Sequence, residues 1–258
     1  MTIKKGRDGN MNKPSIPEKI VPEVTSNLRK NFVRVPDVIR NASGIRIFGK
    51  RLKSFIFTTD VAIIKNTNAD AVIAVYPFTP QPTITQAIMS VSDIPVICGV
   101  GGGLTHGTRS GNIALHAEFQ GAIAVVLNAP TPQETIEYVK ETIDIPVVVT
   151  VVSEHTDVQS RIEAGADILN VSGGSKTAAI VRKIREQYPT IPIIATGGPT
   201  DQSILETIAA GANAITYTPP TNGELFRVKM DHYREIENSV QHHESIDRIH
   251  EEELSLTE

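Results

Sequence analysis

Asp60, His106, Glu154 and His155 all fall in segments that follow short apolar runs, and these residue types move protons near neutral pH. A carboxylate at the end of a buried strand loses part of its hydration, which raises its pKa towards a useful range. Asp60 follows Phe55-Ile56-Phe57, and Glu154 follows Val147-Val148-Val149-Thr150-Val151. The two are expected to flank a substrate from opposite sides as acid and base, with His106 as the third catalytic candidate. Lys65 and Lys176 add positive charge, and Lys65 reads as a solvated helix residue. Asp157 reads as a helix N-terminal residue that favours the dipole, and His116 as a structural histidine within a helix.

Two glycine loops suggest where an anion would sit. Ser172-Gly173-Gly174-Ser175 leads into a helix beginning near Lys176, and Gly197-Gly198-Pro199-Thr200 into one beginning near Asp201. Glycine lets backbone N–H groups approach an anion, and a helix N-terminus adds free donors and a positive dipole end. The expected binding set is Asn128, Asn170, Ser172, Gly173, Gly174, Lys176, Thr196, Gly197, Gly198 and Thr218, each at the end of an apolar run or just beyond it. The plainer alternative is tight turns, with Thr200 as a helix N-cap. A further run from Gly99 to Gly107 holds five glycines in nine residues and reads as a mobile active-site loop. It is no dinucleotide fingerprint, because the next strand ends in Asn128 and not in an acidic residue.

Other chemistries fit less well. Asp60, His106, Glu154 and His155 could ligate a divalent ion, but they are scattered over separate segments with no metal-ligand spacing. No cofactor is therefore expected, and a divalent metal is kept as the alternative. Cys98 is flanked by apolar residues and reads as core, although a thiolate paired with His106 is conceivable. A Schiff-base lysine is disfavoured, because no apolar run contains one.

The elements that must position these groups come from two alternating cassettes. One is Ile-Pro plus an apolar run: Ile94-Pro95-Val96-Ile97, Ile145-Pro146-Val147-Val148-Val149 and Ile191-Pro192-Ile193-Ile194. The other begins Ala69-Asp70-Ala71-Val72-Ile73 and returns from Gly121, from Gly165-Ala166-Asp167 and from Gly211-Ala212-Asn213. Short β-branched runs, apolar on both faces, are how strands buried on both sides of a parallel sheet read. With Phe55-Ile56-Phe57 the count is eight, each followed by room for a helix. That makes the fold class α/β, a (β/α)8 barrel with an N-terminal extension and a polar C-terminal tail; an open doubly wound sheet is the alternative. Such a barrel places its active site at the C-terminal ends of the strands.

The expected organisation is a disordered leader over 1–15, a barrel over 16–235 including an N-terminal capping segment, and a charged tail or helix over 236–258. Met11 could be an alternative start. A helix near Val35 to Arg40 is expected to close the barrel bottom. His242 and His243 fall in the tail, where a metal would find no fixed geometry.

Of 258 residues, one is cysteine and none is tryptophan, and the formal charge is −4. A lone cysteine forms no internal disulfide and suits a reducing cytoplasm. No stretch reaches the ~20 apolar residues of a membrane span, and the N-terminus lacks the hydrophobic core of a signal peptide. Acidic balance and few aromatics argue against nucleic acid. The expected partners are a small phosphorylated substrate and further copies of the chain.

Gly197-Gly198 before a helix, with the earlier Ser172-Gly173-Gly174, resembles the rim of the phosphate-binding superfamily of barrels. That group includes sugar-phosphate epimerases, thiazole-phosphate synthases and prenylglyceryl-phosphate synthases. Over the same span, roughly Leu52 to Tyr233, the chain also resembles a group of bacterial barrels labelled only as hydrolases. Tyr217-Thr218-Pro219-Pro220 departs from the small residues those relatives carry after the last strand, and its two prolines remove two donors. The resemblance implies a cytoplasmic enzyme that uses acid–base chemistry of isomerase, epimerase or lyase type on a small phosphorylated metabolite. Hydrolysis of a phosphorylated or carboxylated substrate is the close alternative. A phosphometabolite-sensing barrel without catalysis is the alternative of another class.

Overall fold

The computed structural model describes residues 20–27 and 29–239. The leader expected over 1–15 and most of the tail expected over 236–258, with His242 and His243, lie outside the described residues. The chain divides into two units, Met1–Lys30 and Asn31–Glu258. The described part of the first contains a turn closed by Arg29 N–H donating to Ser26 C=O at 2.9 Å.

A two-stranded antiparallel hairpin, β1 (Ile45–Ile47) and β2 (Lys50–Leu52), precedes a barrel of β3 (Ser54–Phe57), β4 (Ala71–Ala74), β5 (Val96–Gly101), β6 (Ala124–Leu127), β7 (Val147–Val151), β8 (Ile168–Val171), β9 (Ile193–Thr196) and β10 (Ala214–Tyr217). These eight strands are parallel and closed, with β10 pairing back onto β3. Helices alternate with them: α1 (Val61–Lys65), α2 (Pro82–Val91), α3 (Gly107–Phe119), α4 (Gln133–Thr142), α5 (Val158–Glu163), α6 (Thr177–Gln187), α7 (Asp201–Ala209) and α8 (Asn222–Ser239). The expected (β/α)8 barrel is present.

Strand alternation divides the core in two. Phe55, Ile73, Ile97, Val126, Val148 and Ile194 face inward and fill the barrel lumen. Ile56, Val72, Val125, Val149, Leu169 and Ile215 face outward and pack under the helices. At roughly 1.5–3 kcal/mol per fully buried aliphatic or aromatic side chain, these two layers dominate the favourable side of folding.

The bottom of the barrel corrects one expectation. Residues Asp37–Asn41 form a 3-10 turn that packs against α7 on the outside. The hairpin closes the bottom instead, and its Ile45, Ile47 and Leu52 join the lumen cluster. Its turn residues Phe48 and Gly49 both have positive φ, 46° and 81°, as a two-residue type I′ connection requires. Lys65, at the end of α1, is bound by Asp93 at 2.6 Å and so is spoken for away from the mouth.

The cassettes acquire a purpose here. Asp70 accepts hydrogen bonds from the N–H groups of Lys53 and Ser54, where β3 begins, and from Arg40. Asp167 likewise accepts from Val147 N–H at the start of β7, and Asn213 from Ile193 N–H at the start of β9. In each case a side chain that opens one strand satisfies the first donor of the strand before it. That ties neighbouring strands at the bottom and leaves the top free to vary.

Candidate active site at the barrel mouth

The aliphatic lumen turns polar near its C-terminal end. Asn128, Thr150, Asn170, Thr196 and Thr216 stand on or just after consecutive strands, in phase with lumen residues Val126, Val148, Ile168, Ile194 and Ala214. Asn170 Nδ2 donates to Thr150 Oγ1 at 3.2 Å, and Thr150 Oγ1 donates to Asn128 Oδ1 at 3.2 Å. Thr196 Oγ1 donates to Ser172 Oγ at 3.2 Å. Thr216 is 6 % exposed, and its Oγ1 has no hydrogen-bond partner among the described residues. A buried hydroxyl without a protein partner is costly, which singles Thr216 out within this layer.

Asn128 also lines a cavity of about 330 Å³. Its walls are the segment after β4 (Tyr76, Pro77, Phe78), the glycine segment after β5 (Gly101 to Thr105) and Ala129. This volume lies at the lower end of small-molecule sites. Two loop tips beside it are apolar and open to solvent: Phe78 is 74 % exposed and Leu104 is 99 % exposed. Tyr76 Oη accepts a hydrogen bond from Gln81 N–H at 2.7 Å, which leaves its own proton available.

The glycine segment is more ordered than its composition suggests. Gly102 N–H donates to Thr105 C=O, Gly103 N–H to Pro130 C=O, and Ser110 Oγ to Thr105 C=O. Gly102 has φ 106°, and a Cβ there would meet the Asn128 carbonyl. Glycine is required because this backbone runs hard against β6. His106 occupies the N-cap position of α3, and its Nδ1 is buried without a partner among the described residues.

Each member of the expected acid–base pair has partners of its own. Asp60 is the N-cap of α1, with its carboxylate accepting from the N–H groups of Ala62 and Ile63. Glu154 lies on the outer rim and reaches Lys176 at 3.6 Å and His155 at 3.9 Å. It lines a different, polar depression of about 370 Å³ between the segment after β7 and α6. Neither carboxylate is in the wall of the cavity beside Asn128. Asp157 caps α5 through Ser160 N–H, as its sequence position suggested.

The two glycine loops also have local explanations. A Cβ at Gly173 would stand 2.4 Å from Ile180 Cδ1, and one at Gly197 would stand 2.7 Å from Ile204 Cγ1 and 2.8 Å from Ile215 Cγ2. Both glycines therefore allow a helix to pack closely on the sheet. Gly173 N–H donates to Thr177 Oγ1, and Gly197 N–H to Thr216 C=O, so two donors of the expected cradle are engaged. Gly174 and Gly198 adopt positive φ, 60° and 83°. Of these four glycines, Gly174 alone has open space where a Cβ would stand. Ser172, Lys176 and Thr218 are exposed at the rim.

Sequence reasoning missed Tyr76, Thr150 and Thr216. A threonine inside Val-Val-Val-Thr-Val or Ala-Ile-Thr-Tyr reads as a β-branched strand residue, and only strand phase reveals that its hydroxyl faces the lumen. Cys98 is buried and its thiol is pushed up to about 12 by burial, so it is a core residue with no thiolate at neutral pH. Among the described residues no group of three or more His, Cys, Asp or Glu side chains could hold a metal. None of their helices is long and apolar enough to cross a membrane.

No family model matches this chain, and no curated protein matches it by sequence. Solved structures share its fold at low identity. A phosphonopyruvate hydrolase crystallised with oxalate and Mg++ superposes with a TM-score of 0.54 at 15 % identity, over 80 % of this chain and 91 % of that one. A phosphoenolpyruvate phosphomutase from Streptomyces platensis subsp. rosaceus gives 0.54 at 14 %, over 74 % and 84 %. A dihydrodipicolinate synthase from Bacillus anthracis gives 0.51 at 17 %, over 64 % and 69 %. The likeness establishes the TIM-barrel fold.

Proposed function

We propose that the chain is an enzyme that acts at the C-terminal mouth of the barrel on a small oxygen-rich metabolite, phosphorylated or carboxylated. The observation that carries this reading is the polar layer Asn128–Thr150–Asn170 at the end of an otherwise aliphatic lumen, whose Asn128 lines the cavity, with the unpartnered Thr216 at the same end of that lumen. Hydrogen-bonding groups placed there are paid for in stability and fit a ligand's oxygens. The neighbours named above carry names of hydrolase, mutase and synthase chemistry on small acids, which supports a small-metabolite enzyme. Proton transfer of isomerase or lyase type is the favoured reaction and hydrolysis the alternative. Tyr76 is the ionisable side chain in the cavity wall, and His106 sits at the start of α3 just after the glycine segment that lines it. The cavity wall offers an amide, hydroxyls and main-chain groups but no carboxylate, imidazole or thiolate, which is a weak donor set for a divalent ion. The single buried thiol suits a cytoplasmic setting, and the exposed Phe226 and Val228 on α8 support self-association, which sedimentation tests.

Neutrality of the layer favours a second reading. Every side chain in it is an amide or a hydroxyl, so a sensor that binds the same metabolite without turning it over fits too. One screen separates the two. Phosphorylated sugars, phosphonates and short carboxylic acids, each with and without Mg2+, are tested for thermal stabilisation; hits are then followed for solvent deuterium incorporation and product. A ligand at a hundredfold excess over its Kd should add about 2.7 kcal/mol of stability. Stabilisation with turnover is the expected result. Stabilisation without turnover selects the sensor, and no stabilisation by any class overturns both.

A further inference from the structure

The hydrogen bonds of the polar layer have a direction, and that direction says what the cavity recognises. Asn170 Nδ2 can only donate, so Thr150 Oγ1 accepts from it and turns its single proton towards Asn128 Oδ1. One lone pair of the Asn128 amide oxygen is thereby engaged, which orients the amide so that Asn128 Nδ2 is the donor the residue presents. Asn128 lines the cavity. Tyr76, which lines the same cavity, is in the same condition: its oxygen accepts from the main-chain N–H of Gln81, so its proton is free to point outward.

We propose that Asn128 and Tyr76 are paired hydrogen-bond donors that select a ligand bearing acceptor-only oxygens, a carboxylate or a ketone beside one, and that Thr150 and Asn170 are positioning residues that hold the Asn128 amide the right way round. This rests on the reading of the mouth as a small-metabolite site. It moves ligand recognition from the glycine loops after β8 and β9 to the side chains of β4, β6, β7 and β8. A donor pair of this kind also opposes the charge that develops on a carbonyl oxygen when a neighbouring carbon is deprotonated. The apolar tips Phe78 and Leu104 beside the cavity suit a ligand whose remaining atoms are few.

The test uses the full chain and named probes: glyoxylate, oxalate and malonate, with inorganic phosphate and glycerol as controls, read by thermal shift and calorimetry. At least one carboxylate is expected to bind the parent saturably, with glycerol inert. Asn128→Asp keeps shape but replaces the donor by a charged acceptor, and should weaken that carboxylate at least tenfold. Tyr76→Phe should weaken it several-fold. Thr150→Val, which breaks the relay, should weaken binding about tenfold, and Thr150→Ser, which keeps the hydroxyl, should restore it. Circular dichroism melts of each variant without ligand show whether any loss is simply unfolding. Where Thr150→Val melts early, the Thr150→Ser and Asn128→Asp pair decides. Carboxylate binding that Asn128→Asp and Tyr76→Phe leave unchanged overturns the proposal. Phosphate compounds that stabilise all variants equally, with carboxylates inert, also overturn it while leaving the mouth as a small-metabolite site. No stabilisation by any probe or by the wider screen overturns both readings together.

Discussion

Glycine and aspartate at the mouth have competing explanations, and single substitutions separate them. Gly197 lacks a side chain because Ile204 and Ile215 fill the space where one would go. Gly197→Val should overpack this seam and cost on the order of 3 kcal/mol in urea unfolding, whether or not an anion is present. Gly174 has a positive φ but open surroundings, so Gly174→Ala should cost about 1–2 kcal/mol through backbone strain alone. An unchanged midpoint for Gly197→Val would contradict the packing account. Asp60 holds two N–H groups of α1. Asp60→Ala should therefore lose about 1 kcal/mol, whereas Asp60→Asn, an equally good cap, should melt with the parent. A selective loss of turnover in Asp60→Asn at unchanged stability would return Asp60 to the chemistry.

At the scale of elements, the cassettes were readable as strand starts but their side-chain partners were not. Alternating apolar runs and Ile-Pro pairs give away eight buried strands, because parallel strands covered on both faces have little other way to be written. What the runs conceal is pairing across the sheet: Asp70 serves β3, and Asp167 serves β7. The β1–β2 plug was hidden for a different reason. Its strands have three residues each, and its left-handed turn begins with Phe48 where Asn or Gly is the usual signal. The bottom ties make a pH prediction. Burial pushes the Asp70 carboxyl up, but hydrogen bonds from Lys53 N–H, Arg40 and Ser54 N–H, with the Arg40 charge, outweigh it and hold its pKa below the ordinary value. A lowered folded pKa gives stability that is fully present above the unfolded value of about 3.9 and lost as pH falls through the folded one. Asp70→Asn should thus destabilise the chain at pH 7, and the deficit should shrink as pH falls below about 4. Urea midpoints at pH 7, 5 and 3.5 test this, and a deficit that stays constant to pH 3.5 would deny the carboxylate charge any part in the tie.

The whole molecule divides its labour along the barrel axis. Leu52 is 3 % exposed and belongs to the plug that completes the lumen cluster from below. Leu52→Ala should cost about 2–5 kcal/mol as a large-to-small core change, while ligand affinity measured well below the melting temperature stays at the parent value. Thr216 is the opposite case. Its hydroxyl is buried without a partner at the top of the same lumen, where the isosteric valine would leave nothing unsatisfied. Removing an unsatisfied buried polar group relieves a desolvation cost of about 1–3 kcal/mol. Thr216→Val should therefore raise the melting temperature of the ligand-free protein and lower its response to whichever probe stabilises the parent. A core threonine that served packing alone would behave differently: the valine variant would gain stability and keep the full ligand response. Measured side by side, Leu52→Ala and Thr216→Val should move stability and binding independently, the first losing stability with binding intact and the second gaining stability as binding falls. That double dissociation is expected only if the polar end of the lumen is held for a ligand and the aliphatic end for the fold.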